Sequence, residues 1–222
     1  MLGVGVTDLL LVGLILIVCC PPQINLADNR LCGIDEYGFG EYTADGIKAI
    51  ADAIGVSASL TEIILRDNKL GKEGWCTIFD ALRENPQNKI AKWDLSSQGI
   101  RGEIAKSLAA YMAVSASLTE CCVRGNKLDR ESAKMLADVA TEKRIMLFGI
   151  QHDQKEADFS NKGLMPADAI LVANDLSVSA SLTVTDLRYN QLDTESATML
   201  ATIAKEKQIS LCGITPDQTG QT

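Results

Sequence analysis

The stretch IILRDNKL, at residues 63–70, sets a pattern that returns at five other places in the chain. The pattern is L-x-L-x-x-N-x-L, with tolerance at its apolar positions. The other copies are INLADNRL at 24–31, WDLSSQGI at 93–100, CCVRGNKL at 121–128, ADFSNKGL at 157–164 and TDLRYNQL at 185–192. Alternating apolar positions in such short runs predict a β-strand that leads into a polar turn.

A second apolar pattern follows each copy and predicts a helix. Its residues recur at relative positions 0, 3, 4 and 7, which lie on one face of a helix. The sixth position of the strand pattern holds Asn29, Asn68, Gln98, Asn126, Lys162 and Asn190, with a shortest spacing of 28 residues. Each unit is therefore a strand, a turn and a helix, and because none can bury its apolar face alone, the units are expected to stack side by side.

The hexapeptide VSASLT occurs three times, at 56–61, 114–119 and 178–183, always between a helix and the next strand. We interpret it as a connector. Residues 114–154 and 178–218 also share ESA, MLA, EK and DQ at a constant offset of 64 residues, which indicates duplication of a two-unit block. Two intervals are longer than the rest, and we place insertions at 32–43 and in IQHDQKEAD at 150–158.

The sequences LTEIILRDNKLGKEG (60–74) and LTVTDLRYNQLDTESA (182–197) resemble the ribonuclease-inhibitor type of leucine-rich repeat. The resemblance covers about residues 21–208 and implies an α/β horseshoe of about six units, with parallel strands on the concave face and helices on the convex face. It also implies protein binding on the concave face, and no chemistry. Gln98 and Lys162 depart from the family's asparagine, whose amide satisfies backbone groups of the turn, so local irregularity is expected at those turns.

Composition narrows the function classes. The formal net charge of −8 argues against broad binding to nucleic acid, because an acidic surface repels phosphates. Seven cysteines, without a C-x-x-C spacing, favour free thiols in a reducing compartment such as the cytoplasm. The single histidine, His152, is interpreted as a solvated loop residue, and no nucleotide, metal or hydrolase motif occurs. We expect no enzyme activity, no cofactor and no metal.

The chain divides into an apolar segment, residues 1–22, and a repeat domain, residues 23–222. Residues 9–20 are twelve consecutive apolar or glycine residues. As a helix they span about 18 Å, short of the hydrocarbon core of a membrane. Three interpretations stay open: a membrane anchor or uncleaved signal, a segment buried by a partner, or a consequence of where the chain's start was set.

The candidate binding surface follows from strand geometry. In each copy the residues that flank the second leucine point away from the core, because side chains alternate along a strand. The resulting partner-binding candidates are Asn25, Arg66, Asp94, Ser96, Arg124, Asp158, Asp186, Arg188 and the aromatic Tyr189. Either the arginines bind carboxylates of a partner, or the acidic and arginine side chains pair with each other and keep the sheet soluble.

The inserted loop 32–43 carries Tyr37, Phe39 and Tyr42 in a chain with few aromatic residues. It is either a protruding contact loop or a cover for the first turn of the solenoid.

The leading functional hypothesis is a non-catalytic scaffold for protein–protein interaction, whose partner the sequence does not identify. Two alternatives belong to other classes. One is a regulator of a small GTPase, because activators of Ran-type GTPases use the same repeat type. The other is an accessory subunit of a membrane assembly, held by residues 1–20.

Overall fold

A computed structural model describes residues 22–34 and 37–212. Short strands alternate with helices: β1 (Gln23–Asn25), α1 (Asp45–Val56), β2 (Glu62–Ile64), α2 (Gly71–Glu84), β3 (Lys92–Asp94), α3 (Glu103–Val114), β4 (Glu120–Cys122), α4 (Arg130–Lys143), β5 (Glu156–Asp158), α5 (Pro166–Val178), β6 (Val184–Asp186), α6 (Thr194–Lys207) and β7 (Ser210–Cys212). The predicted leucine-rich-repeat solenoid is confirmed. Strands β1 to β6 with the helices that follow them are units 1 to 6.

The core lies between the strand layer and the helix layer. Strands β2 to β6 bury their central residue, whereas the central residues of β1 and β7 are half-buried. The two leucines of the pattern in unit 2, Leu65 and Leu70, are both buried. Helices pack against their neighbours in chain order, so the apolar face of each is covered by the units beside it.

The strands form three parallel groups, β1 with β2, β3 with β4, and β5 with β6 and β7. Between β2 and β3 the described residues show one backbone hydrogen bond, from the Ala91 N–H to the Thr61 carbonyl at 3.3 Å. The strand layer is therefore interrupted twice while the helix layer continues.

The asparagine at the sixth position joins the turns of two successive units. The Asn126 amide donates to the Leu95 carbonyl of the preceding unit at 2.8 Å and to the Val123 carbonyl of its own unit at 2.7 Å. It also accepts from the Ile100 N–H at 3.0 Å. Asn68 and Asn190 make the equivalent contacts. Each of these residues ties its own turn to the turn before it.

Units 3 and 5, which lack this asparagine, are the two units that follow an interruption. Gln98 donates only within its own turn, to the Ser96 carbonyl at 3.0 Å. The turns of these units keep their shape because Asn126 and Asn190 reach back to them. The expected irregularity thus lies between units, in the strand pairing, and not inside the turns at Gln98 and Lys162.

Aromatic packing bridges both interruptions. At the first, the Trp75 and Phe79 rings of α2 lie 6.1 and 5.4 Å from the Trp93 ring of β3. At the second, the Phe148 and Phe159 rings meet edge to face at 5.2 Å. Side-chain burial holds the units together where backbone pairing does not.

The chain has strand-like structure that the sequence pattern did not predict. Residues 145–150 follow α4 and lie beside β4, with hydrogen bonds from the Cys121 N–H to the Met146 carbonyl and from the Met146 N–H to the Thr119 carbonyl. The insertion placed at 150–158 therefore begins earlier, with a segment paired to β4. The duplicated region pairs in the same way, because β7 lies beside β6.

Asp175 of α5 holds segment 145–150 in place. Its buried carboxylate accepts hydrogen bonds from the Leu147 N–H at 2.5 Å and the Phe148 N–H at 2.8 Å. Burial raises the pKa of this carboxyl to about 6, although the backbone donors oppose the increase.

The predictions for the apolar N-terminal segment, for membrane spanning and for the cysteines have different outcomes. Residues 1–21 lie outside the described residues, so the apolar segment has no structural outcome here. Among the described helices none is long and apolar enough to cross a membrane. The five described cysteines are free thiols.

Candidate protein-binding surface

The middle strands bring four of the predicted binding residues into one cavity. A cavity of about 400 Å³ lies on the strand face over β2, β3 and β4, and Arg66, Asp94, Ser96 and Arg124 line it. The other predicted strand residues, Asn25, Asp158, Asp186 and Arg188, are not part of its lining. The predicted binding residues of the strands therefore divide into a central group in units 2 to 4 and residues on either side of it, in unit 1 and in units 5 and 6.

The residues just before the second leucine of the pattern form one outward column, here called the acidic column, and those just after it form the arginine column. The aspartates of the acidic column, in units 3, 5 and 6, hydrogen-bond within their own turns. The side-chain oxygen of Asp94 accepts the N–H of Ser96 at 2.9 Å, and that of Asp158 accepts the N–H of Ser160 at 2.8 Å. Asn25 makes the same contact two residues ahead. Because the Ser160 hydroxyl and then its N–H stabilise the ionised carboxylate by hydrogen bonds, the pKa of Asp158 lies below its usual range.

The arginine column divides into two kinds of site. The guanidinium of Arg188 donates to both carboxylate oxygens of Asp186, at distances from 2.6 to 3.1 Å. This bidentate contact holds the pKa of Asp186 below its usual range. Arg66 approaches only Asp67, at 4.0 Å with both side chains mostly exposed, and no ion pair of Arg124 occurs within residues 22–34 and 37–212.

Sequence reasoning missed a third column of outward residues, one position before the buried centre of each strand. Glu62, Lys92 and Glu120 occupy it and line the cavity. Lys92 pairs with Glu120 at 2.7 Å and donates to Gln151 at 3.3 Å. The alternation that identified the other two columns could have revealed this one, since the side chains of 62, 64 and 66 share a face.

The cavity also has a wall that the sequence pattern did not predict. Met146, Gly149 and Gln151, from the segment beside β4, close one side of it. The duplication of the IMLFGI and ISLCGI runs was the available signal, because both follow an even-numbered helix.

Vicinal Cys121 and Cys122 face opposite sides of β4, because side chains alternate along a strand. Cys121 is fully buried, and Cys122 is half-buried on the cavity side. Burial raises the pKa of the Cys122 thiol, which disfavours the reactive thiolate.

In the loop 32–43 one aromatic side chain is anchored to the solenoid and two are exposed. The Tyr42 hydroxyl donates to the Leu70 carbonyl at 2.8 Å, and burial raises its pKa to about 12. Tyr37 and Phe39 are 76% and 72% exposed. At the base of the loop Gly40 has φ +122°, and a Cβ there would lie 2.1 Å from the Gly33 carbonyl oxygen. The two glycines allow the loop to leave and return at one point.

Tyr189 stands in the turn after β6 with 79% of its surface exposed. His152 is exposed in the loop before β5, and its ring lies 3.4 Å from the Thr119 carbonyl. The described residues contain no group of three or more His, Cys, Asp or Glu that could hold a metal ion.

Comparison with known proteins gives a partial match. No protein-family model matches the chain. The chain is similar to the proteins named "NACHT, LRR and PYD domains-containing protein 3" of Macaca mulatta and Homo sapiens, with 27% identity over 89 residues in each case. The match covers 40% of this chain and 8% of each relative, so only a small part of the relatives' length is matched. Their name includes LRR, in agreement with the leucine-rich-repeat fold described above.

Proposed function

We propose that this chain is a non-catalytic scaffold that binds a protein partner on its concave strand face. The distant similarity to proteins with leucine-rich repeats supports a protein-interaction role in general. The observation that carries the proposal is the open cavity over β2, β3 and β4, which charged and polar side chains line. A stacked sheet presents such side chains without ordering a loop, which lowers the entropic cost of binding.

The loop 32–43 is the second contact in this proposal. Tyr37 and Phe39 present large apolar area next to unit 1, and aromatic residues are enriched among the residues that dominate binding energy. Tyr42 fixes the loop to the start of α2 through its bond to Leu70. In this arrangement Tyr42 positions the loop and the other two rings contact the partner.

Site-specific photocrosslinking in native extract tests the proposal. A photoreactive benzoylphenylalanine replaces Ser96 in the cavity, Phe39 in the loop, or Lys134 on the outer face of α4. We expect one and the same protein to crosslink at Ser96 and Phe39 and not at Lys134. Equal crosslinking from Lys134, or different proteins at every position, would contradict a concave binding face.

A further inference from the structure

Three arginines stand at the same position of the even-numbered units, yet their surroundings differ. Arg66, Arg124 and Arg188 each lie two residues after an outward strand position. In unit 6 that position is Asp186, and its carboxylate holds the guanidinium in a bidentate contact. In units 2 and 4 the same position is Ile64 or Cys122, neither of which carries a charge at neutral pH. The residue two places earlier thus decides whether the arginine is neutralised within its own turn.

Three acidic side chains, Glu62, Asp94 and Glu120, line the cavity beside the two remaining arginines, and within residues 22–34 and 37–212 none of them forms an ion pair with either arginine. Glu120 pairs with Lys92 at 2.7 Å. Asp94 accepts the N–H of Ser96. Asp67 reaches Arg66 only at 4.0 Å, with both side chains mostly in solvent, and such pairs contribute little. Within the described residues both guanidinium groups therefore lack a close carboxylate partner, and both arginines line the cavity.

Unit 3 separates these two groups and keeps the space between them open. At the arginine position it carries Ser96, so a small side chain lies between two long ones. Arg66, Ser96 and Arg124 all line the cavity of about 400 Å³. Because hydrogen-bonded strands lie about 4.8 Å apart and the ladder is interrupted between β2 and β3, the two arginine positions are at least roughly 10 Å apart. A peptide in the polyproline II conformation spans about this distance in three residues and presents both side chains on the same side. We name Arg66, Ser96 and Arg124 the arginine notch.

We propose that the arginine notch binds an acidic peptide segment of the protein partner, with one carboxylate on Arg66 and another on Arg124, and that Arg188 takes no part. This inference rests on the proposed function and specifies the chemistry of its partner. The planar guanidinium matches a carboxylate in a two-bonded geometry, and such charge-assisted bonds are strong. The net charge of −8 disfavours a longer polyanion, so a nucleic acid is the less suitable ligand.

NMR of the arginine Nε–H groups tests the assignment directly. The probe is a synthetic peptide with two glutamates three residues apart in a serine and glycine background, in 50 mM NaCl. We expect the signals of Arg66 and Arg124 to move on titration while the signal of Arg188 stays in place. A glutamine version of the peptide serves as the control. Movement of all three signals together, or stronger binding of a ten-nucleotide oligothymidine, would overturn the proposal.

Matched substitutions provide a second test of the proposal. Arg66→Gln with Arg124→Gln should weaken peptide binding at least tenfold, and Arg188→Gln should change it less than twofold. Ile64→Asp should recreate next to Arg66 the contact that Asp186 makes with Arg188, and so weaken binding at least fivefold. Ile64→Asn has nearly the same shape without the charge and should retain most of the affinity. Equal effects of Asp and Asn would count against neutralisation as the cause.

The two proposals fail in different ways. If the partner crosslinks at Ser96 and still binds the Arg66→Gln, Arg124→Gln variant with unchanged affinity, the scaffold function stands and the acidic-segment proposal is wrong. If no protein crosslinks at Ser96 while the glutamate peptide moves the two arginine signals, the notch binds carboxylates but the scaffold proposal lacks support.

Discussion

At the scale of single residues, one asparagine side chain serves two turns. Asn126 is buried and uses both its amide donors and its carbonyl in contacts with two successive units. Gln98, at the same position one unit earlier, reaches only its own turn. The sixth position of the pattern therefore contributes more to the free energy of unfolding in unit 4 than in unit 3.

Replacement of Asn126 by alanine should remove three hydrogen bonds and leave buried carbonyl and N–H groups without partners. We expect the free energy of unfolding to fall by about 3 kcal/mol. Gln98→Ala, the matched control, should cost less than about 1 kcal/mol because it loses one bond in a half-exposed turn. Urea denaturation followed by circular dichroism measures both, and a larger cost for Gln98 would contradict the two-turn role.

Asp175 makes stability depend on pH. Its folded pKa of about 6 lies above the ordinary aspartate value, so the folded state binds the proton more tightly than the unfolded state between about pH 4 and 6. Its stabilising contribution is complete below about pH 4 and is lost as pH rises through 6. Relative to Asp175→Asn, which does not titrate, the wild-type protein should lose about 2 kcal/mol of unfolding free energy between pH 4 and 7.

Urea titrations of both proteins at several pH values check this prediction. Because all other carboxylates are common to the two proteins, the difference between their unfolding free energies isolates Asp175. A difference that stays constant from pH 4 to 7 would mean that the folded pKa is not raised.

At the scale of elements, VSASLT is the connector that the sequence indicated, and its first serine and its threonine have backbone partners in all three copies. Ser57, Ser115 and Ser179 end their helices, and each hydroxyl accepts the N–H of the leucine three residues later. The threonine that ends each copy donates both its N–H and its hydroxyl to a carbonyl of the preceding unit, as Thr183 does to Lys155 at 2.8 and 3.0 Å. The hexapeptide thus ends one helix and begins the hydrogen bonding of the next strand to the preceding unit.

Two serines of one copy provide a matched pair. Ser179→Ala removes a buried acceptor of the Leu182 N–H and should lower the unfolding free energy by about 1 kcal/mol. Ser181→Ala changes a half-buried hydroxyl of the same hexapeptide and should cost less than about 0.5 kcal/mol. Thermal unfolding of the two variants tests which substitution destabilises the protein more. Equal losses would mean that the hydrogen bond of Ser179 is not the cause.

At the scale of the whole molecule, the solenoid is built from pairs of units. Backbone ladders and the asparagine bonds join units 1 with 2, 3 with 4, and 5 with 6, whereas aromatic packing and Asp175 join one pair to the next. In a linear array each interface contributes separately to cooperativity. The weakest interfaces between units therefore determine whether all units unfold in a single cooperative transition.

Phe148→Ala should loosen the junction between units 4 and 5. Loss of a buried phenylalanine costs about 4 kcal/mol. Both tryptophans, Trp75 and Trp93, lie in units 2 and 3, so their fluorescence reports on the first half alone. We expect the urea transitions by fluorescence and by circular dichroism to coincide in the wild-type protein and to separate in the variant. Coincident transitions in the variant would contradict a junction that unfolds separately.

The repeat period, the two-sided strands and the connectors follow from the sequence alone. Burial of one face of each strand requires alternating apolar residues. The third position of the pattern is buried in five of the six copies, from Leu65 to Leu187. The outward placement of Arg66, Asp94 and Arg124 follows from the same alternation. Local geometry sufficed for these features because each depends on neighbours within one unit.

The tertiary structure decided what depends on contacts between units. The interruptions of the strand layer, the segment that Asp175 holds beside β4, and the cavity wall at Gly149 all involve residues about 25 or more positions apart. The division of the arginines into a paired Arg188 and two that lack a close carboxylate among the described residues also required side-chain geometry, because an aspartate two residues away can point elsewhere. A sequence pattern records which residues share a face, and only packing determines which of them meet.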